Sequence, residues 1–89
     1  MHDLTGFQRD LLYVIVGAEE PSGQDVKDEV EIYYSSEINH GRLYPNLDTL
    51  VNKGLVEKGQ LDRRTNYYVV SDDGLEMIEQ RREWEEQYL

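Results

Sequence analysis

One stretch of helical periodicity, and the change of pattern after it, constrains the fold of this chain most. Leu43, Leu47 and Leu50 recur at the spacing that places side chains on one face of an α-helix. Gly54 is typical of the left-handed residue that follows a helix, so the pattern predicts a helix over 40–53. The polar residues between the leucines predict that the opposite face of this helix is directed outward.

Pro45 lies early in this helix, where a proline removes the backbone hydrogen bond to Gly41. Gly41 gives the chain room to adjust, and the helix over 40–53 then tolerates the proline. The alternative is that the regular helix begins at Pro45, after a looser turn. In both interpretations, a proline this early does not abolish the helix.

Two helices are predicted before this one. Thr5 and Gln8 have the spacing of a capping box, and the helix that they begin is expected to end between Gly17 and Glu20. Ser22 is a second N-cap residue, followed by an apolar face at helical spacing.

A β-hairpin is predicted after Gly54, where the periodicity changes. Residues 55–58 are expected to form a short strand, 59–65 (GQLDRRT) a polar turn and 66–70 (NYYVV) the return strand. Because neighbouring side chains alternate across a strand, one of the two tyrosines in the return strand is expected in the core.

The last helix begins after Ser71, another N-cap residue, and is expected to run to the C-terminus. The order is therefore three helices, a hairpin and a helix. This order predicts a mainly α fold with a two-stranded β-wing, the winged helix-turn-helix, in which the third helix enters the DNA major groove. We assign residues 1–70 to this DNA-binding domain and residues 71–89 to a C-terminal dimerisation helix packed on it.

The charge of the chain is acidic and unevenly distributed. Nineteen Asp and Glu against nine Lys and Arg give a net charge of −10. Residues 40–68 hold five of the bases and three of the acids, so this segment is positive while the rest is strongly negative. A positive segment in an acidic chain indicates a polyanionic partner. The acidic, lysine-poor composition indicates ordinary solubility or adaptation to high salt, and we favour the second.

Several kinds of protein and site are disfavoured by what the sequence lacks. Without cysteine there is no disulfide or thiolate metal site, which suits a cytoplasmic protein. His2 and His40 are the only histidines and lack paired spacing, so neither metal nor cofactor is expected. No catalytic constellation is recognised, and we expect no enzyme. There is also no apolar run long enough to span a membrane and no signal-peptide pattern.

The sequence resembles the PadR family of transcriptional regulators over nearly its whole length. The similarity lies in GRLYPNLDTLVNKGLVEKG and RRTNYYVVSDDG. The residues that match the family's recognition helix and wing entry are Gly41, Leu43, Tyr44, Pro45, Leu47, Gly54, Leu55 and Val56. Those that match the end of its second strand are Tyr68, Val70, Ser71 and Gly74. With one helix after the wing, the chain resembles a minimal member, and it is more acidic than a typical DNA-binding domain.

The resemblance and the positive segment together imply double-stranded DNA as the partner. Arginine pairs with guanine edges and asparagine with adenine edges, and both residue types lie on the third helix. Arg63 and Arg64 are expected to hold phosphates or enter the minor groove. Tyr44 is expected to bond a phosphate or to pack under the wing, and Asp48 to point away from phosphates or orient a neighbour. The predicted DNA-binding residues are Asn39, His40, Arg42, Tyr44, Asn46, Thr49, Lys53, Lys58, Arg63, Arg64 and Thr65.

The last helix carries two apolar strips, more than one small core needs. They consist of Met77, Trp84 and Tyr88 beside Arg81, and of Leu75, Ile78 and Leu89. We therefore predict a homodimer that acts as a repressor at a pseudo-palindromic operator, with an interface that comprises Met77, Arg81, Trp84, Tyr88 and Leu89. The alternative is a winged helix that binds a basic protein instead of DNA. The aromatic residues permit a small-molecule effector at the interface but do not indicate one.

Overall fold

The computed structural model describes all 89 residues and contains four helices and one antiparallel hairpin in the predicted order. The elements are α1 (Gly6–Gly17), α2 (Gly23–Tyr34), α3 (His40–Asn52), β1 (Val56–Gln60), β2 (Asn66–Val70) and α4 (Asp72–Glu86). The predicted mainly α fold with a two-stranded wing is thus confirmed. None of the four helices is both long enough and apolar enough to cross a membrane.

The first two helices begin at complete capping boxes. At α1 the Thr5 hydroxyl accepts from the Gln8 backbone N–H, and the Gln8 side chain accepts from the Thr5 N–H, both at 3.1 Å. Ser22 and Asp25 repeat this arrangement at α2. Each box satisfies backbone N–H groups that a helix start leaves without partners. Both predicted N-caps, and the end of α1 at Gly17, are confirmed.

The third helix is held in the core by its leucines. Leu43, Leu47 and Leu50 have no exposed surface and belong to a single cluster of 15 buried apolar residues. This cluster also contains Leu11 and Leu12 of α1, which are equally buried. Because the leucines fix the rotation of α3 about its axis, the polar positions between them lie at the surface.

The proline in α3 does not displace the start of the helix. The helix is regular from His40 and includes Pro45, so the alternative in which it begins at Pro45 is wrong. Its last residue is Asn52 rather than residue 53, because Lys53 is the C-cap. Gly54 then adopts a φ of +76°, the left-handed conformation that the sequence predicts and that glycine reaches without steric cost.

The hairpin begins one residue later than the predicted 55–58. Leu55 belongs to the exit from α3, because its N–H donates to the carbonyl of Leu50 at 3.1 Å. The antiparallel ladder starts with Val56 opposite Val70. Leu55 is nevertheless buried, so its side chain serves the core from the turn rather than from the strand.

The hairpin is also longer than predicted, and its turn is shorter than 59–65. β1 continues to Gln60 because Gly59 leaves room for the ring of Tyr67 on the opposite strand. A Cβ on Gly59 would lie 2.2 Å from that ring. Tyr68 is only 1% exposed, which confirms the prediction that one tyrosine of β2 is in the core.

The start of α4 is attached to the junction between α3 and the wing. The Ser71 hydroxyl donates to the Gly54 carbonyl at 2.6 Å and accepts from the Gly74 N–H at 3.0 Å. Gly74 is buried against the backbone of Leu55. The helix ends at Glu86 rather than at the C-terminus, since its last turn has passed beyond the residues that pack on the core.

Gly74→Ala is expected to destabilise the fold, because the added Cβ would lie 2.2 Å from the Leu55 carbonyl oxygen. We expect the melting temperature to fall by about 5–15 °C, corresponding to about 1–3 kcal/mol of overpacking in a small domain. Gly17→Ala is the matched control, since nothing lies within 4 Å of its Cβ position. It should leave the melting temperature unchanged or raise it. Equal melting temperatures for the two variants by circular dichroism would contradict this packing.

Candidate nucleic-acid interface

The outward side of α3 and the wing tip form the α3–wing surface, which we define as residues 39–53 and 58–65. All eleven residues predicted to bind DNA lie within these ranges, and eight of them are exposed. The other three, Asn46, Thr49 and Thr65, are half-buried. No group of three or more histidine and carboxylate side chains in the chain could hold a metal ion.

The turn between α2 and α3 is anchored by one carboxylate. Glu31 Oε2 accepts from the Ile38 backbone N–H at 2.7 Å and from Lys27 Nζ at 2.9 Å. The Ile38 N–H, followed by Lys27, holds the pKa of Glu31 below its usual range. Ile38 is buried, and the next residue, Asn39, caps α3 by accepting from the Arg42 N–H at 2.8 Å. Glu31 therefore fixes the entry into α3.

Arg42 and Asn46 lie one turn apart on α3 and are held by adjacent residues of α1. The Arg42 guanidinium lies 4.0 Å from the centre of the Phe7 ring, in a cation–π contact. Asn46 Oδ1 accepts from Gln8 Nε2 at 2.9 Å, and Asn46 Nδ2 donates to the Arg42 carbonyl at 2.7 Å. Both side chains are therefore positioned by the fold itself.

The two lysines of the surface are paired with carboxylates. Lys53 Nζ lies 3.3 Å from Asp3 Oδ2, and Lys58 Nζ lies 3.7 Å from Asp48 Oδ1. All four side chains are well exposed, so these ion pairs are weak and open readily to a competing anion. Asp48 thus contacts a neighbouring basic side chain, that of Lys58, which is one of the two roles predicted for it.

The wing tip carries two arginines without acidic partners. Asp62 Oδ1 accepts from the backbone N–H groups of Arg64 at 2.8 Å and Thr65 at 2.9 Å. These bonds, that of Arg64 first, hold the pKa of the Asp62 carboxyl below its usual range. The carboxylate therefore shapes the turn, while Arg63 and Arg64 are exposed and form no ion pair.

A cleft of about 180 Å³ lies between the start of α2, α3 and the wing. Gly23, Tyr44, Arg64 and Thr65 are among its lining residues. The Tyr44 ring packs directly on Gly23, where a Cβ would lie 2.7 Å from Tyr44 Cε1. The Tyr44 ring thus packs on α2, where the glycine leaves space for it. The cleft brings a phenol and a guanidinium to one place on the surface.

Two other predicted residues have simpler surroundings. His40 is exposed at the start of α3, with its ring 5.5 Å from the Tyr44 ring in an edge-on contact. The Thr49 hydroxyl donates to the Pro45 carbonyl at 3.0 Å, one turn earlier on the helix. His40 is therefore open to solvent, whereas the orientation of Thr49 is restricted.

The face of α4 predicted for dimerisation is largely exposed. The exposed fractions are 49% for Trp84 and 69% for Tyr88, and Leu89 is fully exposed. The Arg81 guanidinium lies 4.6 Å from the centre of the Trp84 ring, and Met77 packs partly on the core. The second predicted strip is divided, because Ile78 is buried in the core while Leu75 is exposed.

Sequence reasoning misses several residues that shape this surface, among them Asp3, Phe7, Gln8 and Gly23. Gln8 is recognised as a capping residue, but its second partner on α3 depends on how α1 packs. A glutamine cap does carry one available signal, because its amide N–H₂ remains free to donate when its oxygen accepts from the N-cap. The other three have no local signal in the sequence, since their partners lie far along the chain.

Comparison with protein families gives a match to one that regulates transcription. The model of the transcriptional regulator PadR-like family matches residues 11–80. This range includes all of α2, α3 and the wing, and the match confirms the resemblance found in the sequence. No curated protein sequence matches the chain significantly.

Solved structures share the architecture. The complex structure of hsRosR-S1 is 53% identical, with a TM-score of 0.89, and the match covers 93% of this chain and 73% of that one. RosR of Halobacterium salinarum, grown from NaBr, is 54% identical, with a TM-score of 0.88 and coverage of 92% and 74%. FabT of Streptococcus pneumoniae, solved in complex with DNA, is 18% identical, with a TM-score of 0.76 and coverage of 96% and 57%.

Glu31→Gln is expected to lower the free energy of unfolding at neutral pH, because a neutral amide accepts less strongly from Ile38 and Lys27. The folded-state pKa of Glu31 is below its usual value. Its contribution is therefore present above that usual value and is lost as the pH falls through the lower, folded one. Urea unfolding should show a deficit at neutral pH that shrinks by a pH of about 3.

Glu29→Gln is the matched control for this prediction. Glu29 lies on the same helix, is exposed and has no hydrogen-bond or ion-pair partner. Its replacement should leave the free energy of unfolding nearly unchanged at both pH values. A Glu31→Gln deficit of equal size at both pH values would contradict the role given to the Glu31 carboxylate.

Proposed function

Because the chain belongs to the PadR-like family of transcriptional regulators, we propose that it binds specific sites on double-stranded DNA. In this proposal α3 enters the major groove and the wing lies along the backbone. FabT, which has the same fold, was solved in complex with DNA. The family is one of transcriptional regulators, so the protein is not an enzyme.

The observation that carries this proposal is the concentration of exposed donors and positive charge on the α3–wing surface. Residues 40–68 contain five of the nine Lys and Arg residues but only three of the nineteen Asp and Glu residues. The Asp62 carboxylate accepts backbone hydrogen bonds within the wing turn, and Arg63 and Arg64 have no acidic partner. Phosphates can also displace the exposed carboxylates that pair with Lys53 and Lys58.

The acidic remainder of the chain leads us to propose that the protein works at high salt. Outside residues 40–68 there are sixteen acids and four bases, which repel DNA and one another at low ionic strength. Salt screens both repulsions. The 54% identity to a protein of Halobacterium salinarum supports this interpretation. Since counterion release contributes little at high salt, specificity would rest on base contacts of α3 and on DNA shape.

A homodimer would place two α3–wing surfaces about a two-fold axis, as a pseudo-palindromic operator requires. The exposed face of α4 supports this part of the proposal, because the Trp84 and Tyr88 rings lie 5.2 Å apart and leave much of their surface free. Such apolar patches commonly mark contacts between proteins. Residues 71–89 would then serve as the dimerisation helix. A dimer on an operator acts most simply as a repressor, in the cytoplasm.

Selection of bound sites from a random DNA pool, at several KCl concentrations, tests the proposal. We expect enriched sites with two-fold symmetry and an affinity that depends only weakly on salt. An empty selection at every concentration would contradict DNA binding. It would favour the alternative of a winged helix that binds a basic protein through its acidic surface.

Replacing Arg63 and Arg64 by alanine should weaken binding to all DNA sequences while the protein stays folded. These side chains are exposed and have no ion pair to lose. We expect affinity to fall at least about tenfold at the lowest usable salt, and the salt slope to fall by about one to two. Titrations by fluorescence anisotropy measure both quantities.

Arg82→Ala is the control for this prediction, because it removes an exposed arginine on α4, away from the α3–wing surface. It should change the affinity much less than the double substitution in the wing. If the wing double variant is folded and keeps the affinity and slope of the wild type, the wing does not contact DNA.

Trp84→Ala should weaken self-association, because the exposed half of the indole would be buried in the proposed dimer. We expect the dimer dissociation constant to rise about thirtyfold, corresponding to about 2 kcal/mol. Ile32→Ala is the matched control, since Ile32 is 73% exposed on α2 and outside the α4 face. Sedimentation experiments measure the dimer dissociation constant of both variants. A wild-type protein that is monomeric at micromolar concentration would rule out the dimer.

A further inference from the structure

Gln8 occupies the only position where a single side chain joins the cap of α1 to the outward side of α3. Its Oε1 accepts from the Thr5 N–H at 3.1 Å, and its Nε2 donates to Asn46 Oδ1 at 2.9 Å. The first bond belongs to the capping box and fixes the amide of Gln8. With Oε1 committed to Thr5, only Nε2 can face Asn46. Gln8 therefore presents a donor, and never an acceptor, to α3.

This fixed donor determines which way the Asn46 amide points. Asn46 Oδ1 faces Gln8, and Asn46 Nδ2 faces the Arg42 carbonyl at 2.7 Å. A primary amide can accept two hydrogen bonds and donate two. One of each is used here, so one acceptor site and one donor hydrogen remain. Asn46 is only half-buried and belongs to the α3–wing surface, so in the proposed complex the remaining pair would face the groove.

A donor and an acceptor side by side are what an adenine edge requires. Adenine offers its N6 amino group as donor and its N7 as acceptor in the major groove, and asparagine binds both at once. The pair is effective only when oxygen and nitrogen are in the correct order. A reversed amide would set donor against donor and acceptor against acceptor.

We propose that Gln8, although it lies outside α3, is a positioning residue that sets the base preference of Asn46. Gln8 holds the amide in one orientation before DNA binds, so no free energy of ordering is needed at recognition. The neighbouring Phe7 holds Arg42 in the same way, through the face of its ring at 4.0 Å. The first turn of α1 is then a support for the two side chains on α3 best suited to read bases. This inference rests on the proposed binding of DNA.

Gln8→Glu separates this role from the structural role of the cap. A glutamate still accepts from the Thr5 N–H, as capping boxes commonly use it, but it has no N–H to donate to Asn46. Its carboxylate attracts Asn46 Nδ2 instead and reverses or releases the amide. Selection from a random pool should show a preference weakened about fivefold at one base pair of each half-site. Preferences at the other positions should be unchanged.

Two comparisons exclude a simpler effect of charge or folding. Gln87→Glu adds the same charge at the C-cap of α4 and should leave every base preference unchanged. Asn46→Ala should weaken the same base pair as Gln8→Glu, and the double variant should be no worse at that position than Asn46→Ala alone. Ratios between DNA sequences are compared, because non-specific repulsion affects all sequences alike.

These experiments show separately whether Gln8 positions Asn46 and whether the protein binds DNA. If Gln8→Glu selects the same bases with the same ratios as the wild type, Gln8 has no positioning role, while DNA binding stands. A change at base pairs that Asn46→Ala does not affect would also overturn it. If the wild type selects no DNA at any salt concentration, the proposed function fails and the positioning role fails with it.

Discussion

The burial of three leucines on one side of α3 is the constraint on which the rest of the surface depends. Leu43, Leu47 and Leu50 are fully buried, and removing any such side chain typically costs about 2–5 kcal/mol. Their positions leave α3 one possible rotation about its axis. That rotation brings Arg42 against Phe7 and Asn46 against Gln8. The same core that stabilises the fold therefore orients the side chains best suited to recognition.

The exposed charges act over longer distances than the packing contacts of the core. Most carboxylates of the chain are exposed, and few of them take part in ion pairs. Two carboxylates on or beside the α3–wing surface accept backbone hydrogen bonds: Asp62 forms the wing turn, and Glu31 anchors the turn before α3. The acids thus help to build the surface without covering the wing arginines. In concentrated salt their repulsion of a polyanion is screened.

The sequence predicts the elements well because capping and periodicity are local properties. The capping boxes, the left-handed Gly54 and the order of helices and strands all follow from neighbouring residues. The bounds of β2 are predicted correctly, whereas those of β1 are wrong because they depend on contacts across the hairpin, such as the Tyr67 ring over Gly59. The supporting role of Gln8 escapes prediction for the same reason, since Asn46 is 38 residues away. Long-range packing carries information that a local pattern does not contain.

The DNA binding of the α3–wing surface is tested most directly by NMR. The chemical shifts of the backbone amides are followed during titration with a selected DNA site. The titration is run in molar KCl, where screening leaves specific contacts. We expect perturbations to concentrate in residues 39–53 and in the wing turn at 61–65, with the core of α1 little changed. Perturbations confined to α4 and the outer side of α2, with α3 and the wing unaffected, would contradict it.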